Sequence, residues 1–273
     1  MAEKLRFTRV IWLVGCGNMS GAMLSRWLTV GLDPATVTVI RPSGVSPAPG
    51  VRILTELPDE PAPDLLLLGV KPQKLSEVAP GVARAVGPET KLVSILAGAT
   101  MATLRASFPR AGAIVRAMPN TPVALGRGVV GLHGDMAPEV EALMSPLGLV
   151  EWIADEVLFD VVTALAGSGP AFLFRFIDAL ARAGAALGLP ADQAARLAIA
   201  MTDGAAGLAA AASEPPTVLA DRVASPGGMT RKGLNVLDEG GALDRLLQAT
   251  LDAAVRRGRE MAAEAGQGPA TRP

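Results

Sequence analysis

Residues 10–14, Val-Ile-Trp-Leu-Val, run without a polar break into Gly15-Cys16-Gly17-Asn18-Met19-Ser20. A short apolar run that ends on glycines reads as a strand buried on both faces, which requires a parallel sheet with helices on either side. The next segment, 19–30, places Met23 with Trp27 and Leu24 with Leu28 at i/i+4 spacing, as a helix covering such a sheet would. The pattern then repeats. Residues 36–40 are β-branched, and 64–70 form an apolar strand followed by Lys71-Pro72. Residues 92–96 and 113–116 are further strand candidates, and 128–132 and 149–153 extend the sheet. Strand–helix alternation of this kind implies a parallel sheet covered on both faces.

The pattern changes at about Asp155. Strand signals stop and long Ala/Leu-rich segments take over. A helix is expected over 170–187, with Pro170 near its start and Gly188 just past its end. Others are expected over 191–212, 230–239 and 243–265, and the polar tail 266–273 reads as disordered. The expected fold class is therefore α/β: an N-terminal Rossmann-type parallel-sheet domain over 1–154, then an all-helical C-terminal domain over 155–273. A few Ala-rich helices make a thin layer with little core of their own. That half is expected to pack against a second subunit as a homodimer or larger homo-oligomer, the alternative being a compact monomeric cap.

Composition narrows the function classes. Half of the residues are hydrophobic, so core material is ample, and the net charge of −1 gives no electrostatic reason to expect nucleic acid or an anionic membrane. With 3% aromatic residues and no Tyr, a base-stacking platform is also not expected. Cys16 is the only cysteine and His133 the only histidine, which excludes an intramolecular disulfide and leaves no Cys/His metal site. His133 reads as a surface residue in the turn Leu132-His133-Gly134-Asp135. The runs 10–14 and 205–212 are too short for a signal core or a membrane span, so a cytoplasmic location with no membrane partner is expected.

The glycine turn carries the first functional reading. Gly15 permits the tight turn, and Gly17 lets the backbone approach a pyrophosphate that would rest on N–H groups at the helix start, around Asn18 and Met19. Ser20 stands as a small residue in the third position. The motif is weak alone and gains force from lying at the first βα turn of an alternating chain. The second strand ends in Ile40-Arg41-Pro42-Ser43, where an NAD-binding chain carries Asp or Glu for the ribose. Arg41, with Ser43, instead favours a 2′-phosphate and hence NADPH, with NADH a weaker possibility; the alternative is a solvated Arg in a Pro-rich turn. A thiol near a helix N-terminus is open to acidification, yet no chemistry is expected from Cys16, whose position mainly requires a small residue.

Four further motifs are Val70-Lys71-Pro72-Gln73, Arg116-Ala117-Met118-Pro119-Asn120-Thr121-Pro122, Ala166-Gly167-Ser168-Gly169-Pro170-Ala171-Phe172 and Ser225-Pro226-Gly227-Gly228-Met229-Thr230. Together, and in this order behind the glycine turn, they resemble the pyrroline-5-carboxylate reductase family over residues 10 to about 262. The resemblance implies that Val70, Lys71, Pro72 and Ala97 line the cofactor and that Asn120 and Thr121 lie near the nicotinamide. Plain turn chemistry is the alternative for the last two. It implies further that Ser168, Gly169, Ser225, Gly227, Gly228, Met229 and Thr230 hold the substrate. Two Gly-rich helix starts suit its carboxylate, with helix capping as the alternative. Phe172 stands where the family often has Tyr, Met229 where it is usually small or Thr, and Arg231-Lys232 where a more apolar pair is common.

The reaction so implied is NADPH-dependent reduction of the cyclic imine L-1-pyrroline-5-carboxylate to L-proline, by hydride transfer to the imine carbon. An iminium is already electrophilic, so the protein mainly positions the reactants, within about 3–3.5 Å of one another. Thr230 is the one candidate catalytic residue, as a hydrogen-bond partner of the ring nitrogen. A β-hydroxyacid-type dehydrogenase shares the plan but uses a lysine in the helical domain, and the only lysine after residue 91 is Lys232. A non-enzymatic nucleotide sensor on the same fold is the third reading.

Overall fold

The computed structural model describes residues 7–266. The strands are β1 (Ile11–Val14), β2 (Val37–Ile40), β3 (Arg52–Leu54), β4 (Leu65–Leu68), β5 (Lys91–Ser94), β6 (Ala113–Pro119), β7 (Gly128–Gly134) and β8 (Gly148–Trp152). They form one sheet in the order β3-β2-β1-β4-β5-β6-β7-β8. The first six are parallel, with Ile11 level with Val37 on one side and Leu65 on the other. The sheet departs from the all-parallel expectation at β7, which runs antiparallel to β6 before β8 pairs parallel to β7. A single 3₁₀ turn, Thr121–Leu125, joins β6 to β7, and a connection that short permits only an antiparallel return.

The four leucines of β4 are buried on both sides. Leu65 and Leu67 join Ile11, Leu13 and Val93 beneath α1 (Asn18–Thr29), while Leu66 and Leu68 join Trp12, Leu92 and Phe108 on the opposite face, beneath α2 (Leu75–Ala85) and α3 (Met101–Ser107). Alternation with period two thus serves two cores at once. Trp27 is fully buried and its indole N–H donates to Leu143 O at 2.7 Å, fastening α1 to α4 (Pro138–Met144).

His133 is not in a surface turn. It lies in β7 opposite Arg116, half-buried, with Nδ1 2.7 Å from Ile153 O. A carbonyl only accepts, so Nδ1 carries the proton. The turn expected over 132–135 is strand as far as Gly134, which takes a φ of +123°, and the bend comes at Asp135.

After β8 the chain turns helical, through α5 (Phe159–Val162) and a π-helical turn at Thr163–Gly167. By its internal contacts the chain divides into a sheet unit, 7–168 with 254–266, and a helical unit, 169–253. The expected boundary at 154 falls short of the first break because Phe159 and Ala164 are both buried in the sheet unit. Gly131 has no side chain to obstruct them, and a Cβ there would lie 2.9 Å from Val162 Cγ1.

The helical unit contains α6 (Gly169–Ala186), α7 (Ala191–Ala211), α8 (Pro216–Val223), α9 (Met229–Asp238) and the first half of α10 (Ala242–Gly266). Gly188, at a φ of +108°, closes α6, and a Cβ on Gly184 would stand 3.6–3.7 Å from Leu189 and Ala194, so small residues line the α6–α7 hairpin. The stretch Glu156–Ala186 is long and apolar enough to cross a membrane by length and composition alone. Its first part belongs to the sheet unit, and α6 carries Arg175, Asp178 and Arg182 in ion pairs along one side. Of the expected tail, residues from 267 onward lie outside the described residues.

Candidate functional site

Strand order reverses between β1 and β4, and ligands of open α/β sheets bind at the carboxyl ends of strands flanking such a reversal. Gly15 follows β1 and Gly69 follows β4 at that point. Gly15 has a φ of +84°, and a Cβ on it would stand 2.8 Å from Gly69 O, so no side chain is tolerated there. Gly17 caps α1 with no side-chain hydrogen bond, and a Cβ on it would meet nothing within 4 Å. The first helical backbone bond at this end runs from Gly21 N to Gly17 O. The N–H groups of Asn18, Met19 and Ser20 therefore have no partner within the helix, the arrangement that receives a phosphate. This cradle fits a dinucleotide pyrophosphate.

The other expected cofactor residues gather along the same edge. Arg41 follows β2, half-buried, its N–H held by Leu54 O at 2.9 Å and its guanidinium in no ion pair with a described residue. Burial pushes the Cys16 thiol up, against the opposing pull of the Arg41 charge, so the acidification open to a thiol in this turn does not occur. Ser43 is exposed and accepts from Val45 N at 3.4 Å. Val70 packs into the core, while Lys71 caps a 3₁₀ turn at Pro72–Lys74 with its side chain exposed. Ala97 follows β5, beside Gly98, whose left-handed backbone approaches Ala262 of α10. Asn120 and Thr121 follow β6; Thr121 is exposed, and Asn120 is buried.

The two expected helix starts differ. At α9, Gly227 has a φ of +72°, Gly228 N donates to Ser225 O at 3.0 Å, and Gly228 caps the helix without any side chain. The next bond is Lys232 N to Gly228 O, which leaves the N–H groups of Met229, Thr230 and Arg231 open to an anion. Met229 is 91% exposed and Thr230 is exposed, while Arg231 pairs with Asp221. Ser168-Gly169 is a correction to the expectation. It lies inside a continuous helical path, where Ser168 N–H donates to Thr163 O at 2.9 Å and Pro170 has no N–H. An anion cradle of free N–H groups is therefore absent there, because the helix begins upstream of the glycine.

Sequence reasoning missed the support behind the site. The Arg116 side chain is 7% exposed, bonds Glu156 at 2.6 Å and lies over the Phe159 ring at 4.3 Å. The same Glu156 oxygen accepts from Met101 N at 2.7 Å. Arg116 was visible as a charge inside an apolar strand, but its partner is 40 residues away.

A pyrroline-5-carboxylate reductase of Pseudomonas aeruginosa is 32% identical over 269 residues, covering 94% of this chain and 98% of that protein. The chain belongs to the pyrroline-5-carboxylate reductase family. The family profile described as pyrroline-5-carboxylate reductase dimerisation matches residues 156–261. A Coxiella burnetii pyrroline-5-carboxylate reductase structure superposes with a TM-score of 0.86 at 30% identity, over 93% of this chain and 98% of that one. A Plasmodium falciparum pyrroline carboxylate reductase with NADP bound superposes at 0.79 over the same shares, and at 22% identity that likeness is one of fold. Family membership also accounts for the lone downstream lysine: Lys232 is exposed on α9 rather than placed within a long helix as a β-hydroxyacid dehydrogenase would need.

Proposed function

We propose that this chain reduces L-1-pyrroline-5-carboxylate to L-proline at the expense of NADPH, in the cytoplasm and as a homodimer or larger homo-oligomer. The observation that carries the reading is the pair of uncapped glycine starts in a chain 32% identical to a named reductase along almost its whole length. One start, at Gly17, takes the pyrophosphate, and the other, at Gly228, takes the imine's carboxylate. Arg41 pairs with the 2′-phosphate, which favours NADPH over NADH. Val70, Lys71, Pro72, Ala97 and Thr121 line the cofactor.

When bound, NADPH supplies the hydride that adds to the carbon of the ring C=N bond, and the nitrogen keeps its proton as the product amine. The turn of Ser225, Gly227 and Gly228 presents the open N–H groups of Met229, Thr230 and Arg231 to the carboxylate, and the Thr230 hydroxyl orients the ring nitrogen. No strong acid is needed, because a protonated imine is already electrophilic. The helical unit supplies the imine site and the contact between copies. The match of residues 156–261 to a dimerisation profile supports that division.

The test is NADPH oxidation, followed at the reduced-nicotinamide absorbance band with pyrroline-5-carboxylate as acceptor. Robust turnover is expected for the parent chain, and a KM for the imine raised about tenfold or more for Thr230→Ala, the loss of one hydrogen bond to a charged group. Arg41→Ala is expected to weaken NADPH by a similar factor and leave NADH unaffected. A parent chain that fails to oxidise NADPH with this imine rejects the assignment.

A further inference from the structure

In an α-helix the carbonyl of one residue accepts from the N–H four residues on. Four residues after Ala166 stands Pro170, which has no N–H to give. The helix therefore cannot satisfy Ala166 O by its own pattern, and it opens into the π turn at Thr163–Gly167, closed by Ser168 N to Thr163 O. The missing donor comes from another part of the chain. Asn120 Nδ2 donates to Ala166 O at 3.0 Å, and Asn120 Oδ1 accepts from Val129 N at 2.9 Å. The residue is 7% exposed, so both ends of its amide face backbone instead of solvent. Met118, two residues earlier on β6, meets the same turn: a Cβ on Gly167 would stand 2.5 Å from its terminal methyl.

We propose that Asn120 is a positioning residue for the imine: its amide stands in for the N–H that Pro170 lacks, and so fixes the π turn at Thr163–Gly167, from which the imine-binding helical unit starts, to the strand that ends at the cofactor edge. This rests on the reductase reading given above. It gives the amide a duty beside the place near the nicotinamide that the sequence suggested, since one of its N–H groups and one lone pair already go to backbone. The demand is specific to an amide. One atom must donate to a carbonyl while the other accepts from an N–H. Aspartate retains only the acceptor and sets a carboxylate against the Ala166 oxygen.

The experiment compares the parent chain with Asn120→Asp and with Asn120→Asp combined with Pro170→Ala, which returns a backbone N–H four residues after Ala166. Three quantities are read: hydrogen exchange of residues 163–169, the NADPH dissociation constant, and KM and kcat for the imine. In Asn120→Asp, exchange over 163–169 and KM for the imine are each expected to rise about tenfold, while NADPH affinity stays within about threefold. The double variant is expected to recover most of both losses. Unchanged exchange over 163–169 overturns the proposal, as does a loss of NADPH affinity with KM for the imine unaltered. If Asn120→Asp does not fold, folding of the double variant supports the proposal and its failure to fold overturns it. A parent chain inactive with the imine defeats the reductase reading, and the exchange result then still decides the hydrogen bond by itself.

Discussion

The two units of this chain bury their apolar side chains to very different extents. Every residue of β1, β2 and β4 is buried, and two clusters of large side chains close over the faces of the sheet. Among residues 169–253, only Ala194, Ala198 and Ala224 are buried. Leu173, Phe174, Phe176, Leu197, Ile199 and Leu208 are between 44% and 64% exposed. A sheet covered by helices on both sides completes its own core. A layer of Ala-rich helices does not, and its apolar surface is larger than a soluble monomer normally leaves open.

Charging that surface should produce the largest effect. Phe174 is 64% exposed on α6. If a second copy covers it, Phe174→Glu loses about 2–3 kcal/mol of burial on each of two symmetric sides, about a thousandfold in the dimer dissociation constant. Light scattering across a dilution series should show monomer where the parent is assembled. Leu125→Glu, at a 73% exposed position of the sheet unit, should leave assembly unchanged. Equal behaviour of the two variants would break the comparison at its root.

The second prediction sharpens the sheet side of the contrast. Glu156→Ala strips the 7% exposed Arg116 of its carboxylate and Met101 N of its acceptor. A charge left buried without a partner costs about 3 kcal/mol, read as a lower midpoint in urea denaturation. Ion pairs on the helical unit, such as Arg196 with Asp192 at side-chain exposures of 69% and 72%, should be worth under about 0.5 kcal/mol when broken.

The same contrast explains what the sequence made legible. Seven of the eight strands were readable, the inner ones because a doubly buried strand is an unbroken apolar run, as Leu65–Leu68 is. β3 (Arg52–Leu54) was missed: three residues at the sheet edge, one exposed and two half-buried, leave no run to see. The direction of β7 was not readable either, since periodicity reports faces and not polarity. α8 (Pro216–Val223) has no buried residue and so no apolar stripe pointing inward. At the site, the glycine turns were visible because each obeys a local backbone rule. The partners of Asn120 were not, because Ala166 lies 46 residues away and only the missing N–H of Pro170 hints that its carbonyl needs one. The exposed apolar residues of α6 and α7 were read correctly as unsatisfied, since composition alone shows too little bulk for a core.

The smallest expected effect concerns a single oxygen. Ser20 is 1% exposed, and among the described residues its hydroxyl is the one buried side-chain polar atom without a hydrogen-bond partner. It faces Gly69, where an added Cβ would collide with it, so the glycine after β4 makes room for a side chain at the third position of the turn. An unpaired buried hydroxyl costs about 1–3 kcal/mol, part of which the packing of the oxygen against Gly69 offsets. Ser20→Ala should therefore raise stability by about 1 kcal/mol in urea denaturation and leave the NADPH dissociation constant unchanged, because the hydroxyl points into the sheet and away from the open N–H groups of the turn. A loss of NADPH affinity instead would mean that the oxygen turns to the phosphate when the cofactor binds, and that the cradle is built of a side chain as well as backbone. The large apolar side chains of α6 offer no such sensitivity in an isolated chain. One oxygen counts where packing is closed, and a whole phenyl ring counts only where something covers it.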